Sequence, residues 1–214
     1  MSSHYPFEKM NLDYEYISLV PHLDPNTVYI HHNKIYPNYV DALNYLLSFY
    51  PQYQSWSLER LIFGNLQVPV VMENNIKHAA GGIYHHNLFF EGMGTDGAIG
   101  QNSPLIQKIT DCYGSMENFQ NLFRQAAQSI QGSGWVWLAG LIGNDEVRIV
   151  TSSNNQVPSS ELFSPILVLD IWEHAYFLLY PARLGTYVDN WFKIIDWEAA
   201  EQRYLNYQKK AGKK

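Results

Sequence analysis

Eight histidines occur in this 214-residue chain, and their spacing is uneven. Two adjacent pairs, His31-His32 and His85-His86, precede a third site in Asp170-Ile-Trp-Glu-His174, where a His follows an Asp by four residues. Neutral imidazoles and carboxylates are the ligand types that borderline transition metals accept. Helical geometry chooses within each pair. Residues spaced by four stack on one face, so His31, Ile35 and Tyr39 form one row from the buried side, while His32 points about 100° away. His86 continues the apolar stripe Ile76, Ala79, Ile83 and Phe90. His31 and His86 therefore face inward, with His32 and His85 flanking them. The competing reading is two core histidines bonded to carbonyls or hydroxyls.

In the third segment the apolar run Ile166-Leu-Val-Leu-Asp170 ends in a carboxylate, and the next turn presents His174. These two side chains can converge on one cation. Together, His31, His86, Asp170 and His174 offer three neutral imidazoles and one carboxylate. That set suits manganese or iron and leaves a coordination position open, and on ligand type alone it also admits zinc. Otherwise Asp170 caps the following helix and His174 is a core residue.

The elements that must hold these residues are legible in outline. Asp24-Pro25 starts a helix whose apolar periodicity runs from Val28 towards Leu47, with a kink or break expected at Pro37. A second helix is predicted from about Val71 to Glu91, where Gly81 and Gly82 allow a neighbouring backbone to approach closely. The turn-rich stretch 91–104 marks a domain boundary, with a purely helical part over 1–94 and a mixed part over 95–214. In the second part we expect helices over Pro104–Cys112 and from Ser115 to Gln131. Strands are predicted over Trp135–Leu141, Glu146–Ser152 and Ile166–Asp170, then helices over Trp172–Tyr180 and Trp197–Gln208.

Composition excludes several classes of function. The net charge is -6, with acids outnumbering bases 20 to 14, which argues against nucleic-acid binding. Cys112 is the only cysteine, so neither a disulfide framework nor a thiolate cluster is available within the chain. No apolar run approaches membrane-spanning length and the first residues do not read as a leader, so a soluble, cytoplasmic protein is expected. Aromatic residues make up 15% of the chain, enough to serve a core, an interface or the walls of a site.

At this point the sequence resembles the iron/manganese superoxide dismutases. The matching segments are Val20-Pro-His-Leu-Asp24, Ile30-His-His-Asn-Lys34 with Tyr39, Ala80-Gly-Gly82 followed by His86, Gly132-Ser-Gly-Trp-Val-Trp-Leu138 and Asp170-Ile-Trp-Glu-His-Ala-Tyr176. The resemblance implies an α+β fold: an N-terminal long helical hairpin followed by a C-terminal α/β domain with a small antiparallel sheet. It also implies dismutation of superoxide to oxygen and hydrogen peroxide, with one manganese or iron ion per subunit held by His31, His86, Asp170 and His174. Tyr39 then matches the gateway tyrosine, and Trp135, Trp137 and Trp172 the aromatic wall. A homodimer or tetramer is implied, with Glu173 and Tyr176 at the dimer contact.

Four positions depart from the family's pattern. Ile35 stands where a His usually lies between the first ligand and the gateway Tyr, and Tyr36 replaces a neighbour that is also often His. An isoleucine neither relays protons nor bonds Tyr39, which predicts altered proton delivery with the metal retained. Ile83 and His85 replace common His and Asn residues, and His85 could contact Tyr39 or bound solvent, or simply flank the site. Gly82, with an amide from Asn154-Asn155-Gln156, favours manganese over iron. Direct counting makes Asn155 that amide, and a bulge would make it Gln156. Lys34 and Arg183 are candidates for local attraction of an anion. The alternative to an efficient enzyme is a low-activity member with a structural or interaction role that keeps the fold and the metal.

Overall fold

Asp24 begins the first helix by accepting a hydrogen bond from the Thr27 N–H at 2.7 Å, with Pro25 at the first helical position. In the computed structural model, which describes residues 4–94, 100 and 103–211, this helix, α1, spans Pro25–Ile30. It passes into a π-helical turn over His31–Ile35, where the Tyr36 N–H bonds the His31 carbonyl five residues back. Helix α2 then runs over Tyr36–Ser48. The break expected at Pro37 thus falls in the turn before it. A proline has no N–H and its ring crowds the carbonyl four residues earlier, so the wider turn accommodates it.

The extra residue corrects the expected row. The buried stripe after His31 is Tyr36, Val40, Leu43 and Leu47, while Ile35 is only half-buried. Short α3 (Leu58–Phe63), capped by Ser57, leads to the long α4 (Val70–Glu91), which lies against both α2 and α3. The glycines of α4 are needed for close approach. A Cβ on Gly81 would lie 2.3 Å from the Asn155 carbonyl oxygen, and one on Gly82 would lie 2.5 Å from the Tyr39 ring.

Half of the stretch proposed as a domain boundary, residues 95–99 and 101–102, lies outside the described residues. Beyond it, α5 (Pro104–Tyr113) and α6 (Met116–Ser129) are capped by Ser103 and Ser115. Strands β1 (Gly134–Leu141), β2 (Val147–Ser153) and β3 (Phe163–Asp170) form one antiparallel sheet in the order β2-β1-β3. This agrees with the expected α+β class. The central β1 is buried along almost its whole length, which explains its continuous apolar run. Its register pairs Trp135 with Asp170 on one side and Gly134 with Ser153 on the other. The carboxylate and the loop carrying Asn155 therefore leave the same end of the sheet.

The helix expected over Trp172–Tyr180 is not formed. Only a 3-10 turn, Glu173–Ala175, is present, followed by isolated helical turns. Pro181 disfavours helix at Tyr180, and tertiary contacts hold the aromatic residues: Tyr176 stacks on Tyr187 at 5.1 Å, and the Tyr180 hydroxyl donates to the His22 carbonyl at 2.9 Å. Sequence reasoning missed two helices, the short α3 and α7 (Leu184–Trp191), the latter with Tyr187, Val188 and Trp191 buried. Helix α8 (Trp197–Ala211) follows it.

Candidate metal centre

His31 enters the site from the π turn, His86 from α4, Asp170 from the end of β3 and His174 from the 3-10 turn after it. One potential ligand atom from each lies within 4.8 Å of all the others. Asp170 Oδ2 is 3.3 Å from both His31 Nε2 and His174 Nε2. These atoms and His86 Nε2 are buried and have no hydrogen-bond partner. Four such atoms facing one another would be costly in a folded protein, whereas a shared cation satisfies them together. The donor set therefore fits a single metal ion.

The other atoms of these side chains are occupied, which fixes their direction. The His86 Nδ1–H donates to the Gly82 carbonyl at 2.6 Å, leaving Nε2 as the lone-pair nitrogen. Asp170 Oδ1 accepts from the Trp172 N–H at 2.8 Å, so Asp170 does cap the following turn while Oδ2 remains directed into the site. Burial lowers the pKa of His31, and lowers that of His86 well below the usual imidazole value. Both are thus neutral near pH 7, as ligation requires. Burial would raise the Asp170 carboxyl, but the His174 and His31 imidazoles bring it below the ordinary carboxylate range.

Their sequence neighbours His32 and His85 are buried as well. The His32 Nε2–H donates to the Met10 carbonyl at 2.9 Å, and its Nδ1 accepts from the Tyr16 hydroxyl at 3.0 Å, so both ring nitrogens are occupied. His85 donates from Nδ1 to the Gly81 carbonyl and stacks on Trp135 with ring centroids 4.5 Å apart.

Tyr39 lies across Gly82, with its ring centroid 5.2 Å from that of His86. Burial raises its pKa, partly offset by a hydrogen bond from the Asn155 side chain. Asn155 is buried and accepts from the Trp135 indole N–H at 3.4 Å, whereas the Gln156 side chain is exposed. Asn154, at φ 50°, makes the turn that brings Asn155 against α4. Trp137 donates instead to Ser152 Oγ at 3.0 Å, and Trp172 is 5.7 Å from His174 between ring centroids. Glu173 is exposed and Tyr176 half-buried. Lys34 is exposed, and Arg183 donates to the Leu179 carbonyl at 3.2 Å.

Sequence reasoning missed two side chains. Tyr36 stacks on His86 at 5.4 Å and 8° between planes, donates to Asn87 Oδ1 and accepts from the Met10 N–H at 3.1 Å. Its spacing of four from Val40 was the available signal. His78 Nε2 lies 3.4 Å from Asn155 Nδ2, and its spacing of four from Gly82 and eight from His86 would have placed it on the same face of α4.

Comparison with known proteins agrees with this geometry. Residues 6–94 match the family model for the alpha-hairpin domain of the iron/manganese superoxide dismutases, and residues 101–203 match the model for their C-terminal domain. A Bacillus cereus protein named manganese superoxide dismutase 2 is 34% identical over 199 residues, covering 93% of this chain and 95% of its own length. One from Leptolyngbya boryana, named manganese superoxide dismutase 1, is 33% identical over 200 residues, with coverage of 93% and 81%.

Proposed function

We infer that this chain, which belongs to the iron/manganese superoxide dismutase family, works at one manganese ion held by His31, His86, Asp170 and His174. The observation that carries the ligand assignment is the convergence of four buried, unpartnered donor atoms. A bound redox metal supplies one-electron exchange, through which two superoxide anions and two protons give oxygen and hydrogen peroxide.

The chain's own residues do the rest. His86 is oriented through Gly82, and Asp170 through the Trp172 N–H, so the donor atoms are aimed before any ion arrives. Tyr39 guards the approach, and Trp135 orients Asn155, which we assign as the amide beside the reacting centre in preference to the exposed Gln156. Manganese is favoured because the Tyr39 ring occupies the space that any side chain at position 82 would need, so the amide must come from Asn155.

The hairpin over 1–94 and the mixed unit over 95–214 meet at this site. Exposed Glu173 with Tyr176, beside exposed Phe177 and Leu178, forms the contact of a homodimer. A single exposed cysteine, Cys112, suits the reducing cytoplasm. Among the described residues, no helix is long and apolar enough to cross a membrane.

Metal analysis with pulse-radiolysis turnover tests this reading. Stoichiometric manganese with dismutation far above that of the free ion is expected, and manganese-loaded protein no faster than the free ion would overturn it. Ile35 favours a second reading, a slow member kept for its fold and metal. Under that reading, Ile35→His raises turnover strongly, whereas a wild-type rate already near the diffusional ceiling excludes it.

A further inference from the structure

The cavity outside Tyr39 has a volume of about 510 Å³, and its walls include Ile35, Asn38, Asn75 and His78. Ile35 offers it no hydrogen bond. His78, on α4 and exposed to solvent, lines the same space with its ring centroid 5.8 Å from that of Tyr39. Its Nε2 lies 3.4 Å from Asn155 Nδ2. The orientation of that amide is fixed from the other side, because Asn155 Oδ1 accepts from the Trp135 indole N–H. Its NH₂ group must therefore face His78, and His78 Nε2 must accept, with the ring proton on Nδ1.

We propose that His78 is a positioning residue for dismutation, acting as the neutral acceptor that locks the Asn155 amide beside Tyr39 and so provides the hydrogen-bonded support missing at Ile35. This rests on the family reading above and deepens it. A protonated imidazole cannot accept, and the amide cannot invert without leaving the Trp135 N–H unpaired. The lock is therefore present when His78 is neutral and lost when it is charged. The groups around His78 are the Tyr39 and Tyr45 phenols on α2, Asn155 on the loop after β2, and His85 with the Glu73–Lys77 ion pair on α4 itself. Burial lowers its pKa from 6.5, so the lock holds at neutral pH.

Three variants separate the possibilities. In manganese-loaded wild type, turnover falls as pH drops through a midpoint below 6.5. His78→Gln retains an acceptor without a titrating group and keeps wild-type turnover with that step abolished. His78→Phe removes the acceptor and lowers turnover roughly tenfold or more at every pH, with metal content unchanged. An independent readout is the long-range ¹H–¹⁵N spectrum of the whole chain loaded with zinc, a diamagnetic probe. It shows His78 protonated on Nδ1 at pH 7.5, with a shift in Nε2 upon Asn155→Ala. Equal turnover and pH profiles in all three proteins, or an Nε2-protonated His78 unmoved by Asn155→Ala, overturns the proposal. A wild type that lacks dismutation but shows the expected spectrum fails the functional reading and leaves the hydrogen bond standing, and this proposal then falls as a statement about catalysis.

Discussion

Asp170 combines two tasks in two oxygen atoms. Oδ1 closes the turn through the Trp172 N–H, while Oδ2 sits between two imidazoles. Asp170→Asn keeps an oxygen for the turn and removes the anionic ligand. It is expected to cut metal occupancy by more than about tenfold with helical content unchanged, as read by metal analysis beside circular dichroism. At this scale the sequence was most informative about residues with rare chemistry, since His31, His86, Asp170 and His174 could be placed from spacing and segment ends. It was least informative about Tyr36 and His78, whose roles depend on partners distant in sequence, Asn87 and Asn155.

Among the elements, α4 leaves little room for change at its glycines. Gly81 faces a carbonyl oxygen rather than a flexible side chain, so a methyl group there must displace the Asn155 loop. Gly81→Ala should destabilise the protein by about 1–3 kcal/mol, seen as a lower melting temperature, and should slow turnover because Asn155 moves with the loop. Most elements were legible because caps and periodicity agreed, as at Asp24, Ser103 and Ser115. The failures have physical causes. A π turn inserts one residue that periodicity does not register, so the row through Ile35 was displaced onto Tyr36. After β3, helical propensity lost to stacking of Tyr176 on Tyr187 and to Pro181.

For the molecule as a whole, buried histidines make stability depend on pH. Burial lowers His85 to about 4, and His32, despite an opposing hydrogen bond to the Met10 carbonyl, also to about 4. Each is easier to protonate in the unfolded chain, so their contribution is complete above about pH 6.5 and is lost as pH falls towards 4. His85 alone accounts for about 3 kcal/mol over that range, going from 6.5 to about 4. Urea unfolding of the metal-free protein should show its midpoint falling between pH 7 and pH 4. The proposed subunit contact gives a separate prediction. Replacing exposed Phe177 and Leu178 together by Asp should convert a dimer to monomers in sedimentation, while leaving the metal ligands intact.

The ligands run from residue 31 to residue 174, so a bound ion ties together about two thirds of the chain. It acts as a cross-link between hairpin and sheet, closing a loop whose entropic value is on the scale of a long-range disulfide, about 4–5 kcal/mol. Three of the four proposed ligands are buried, so release of a bound ion would proceed through local unfolding around the site. An ion taken up as the chain closes around the site would therefore exchange slowly.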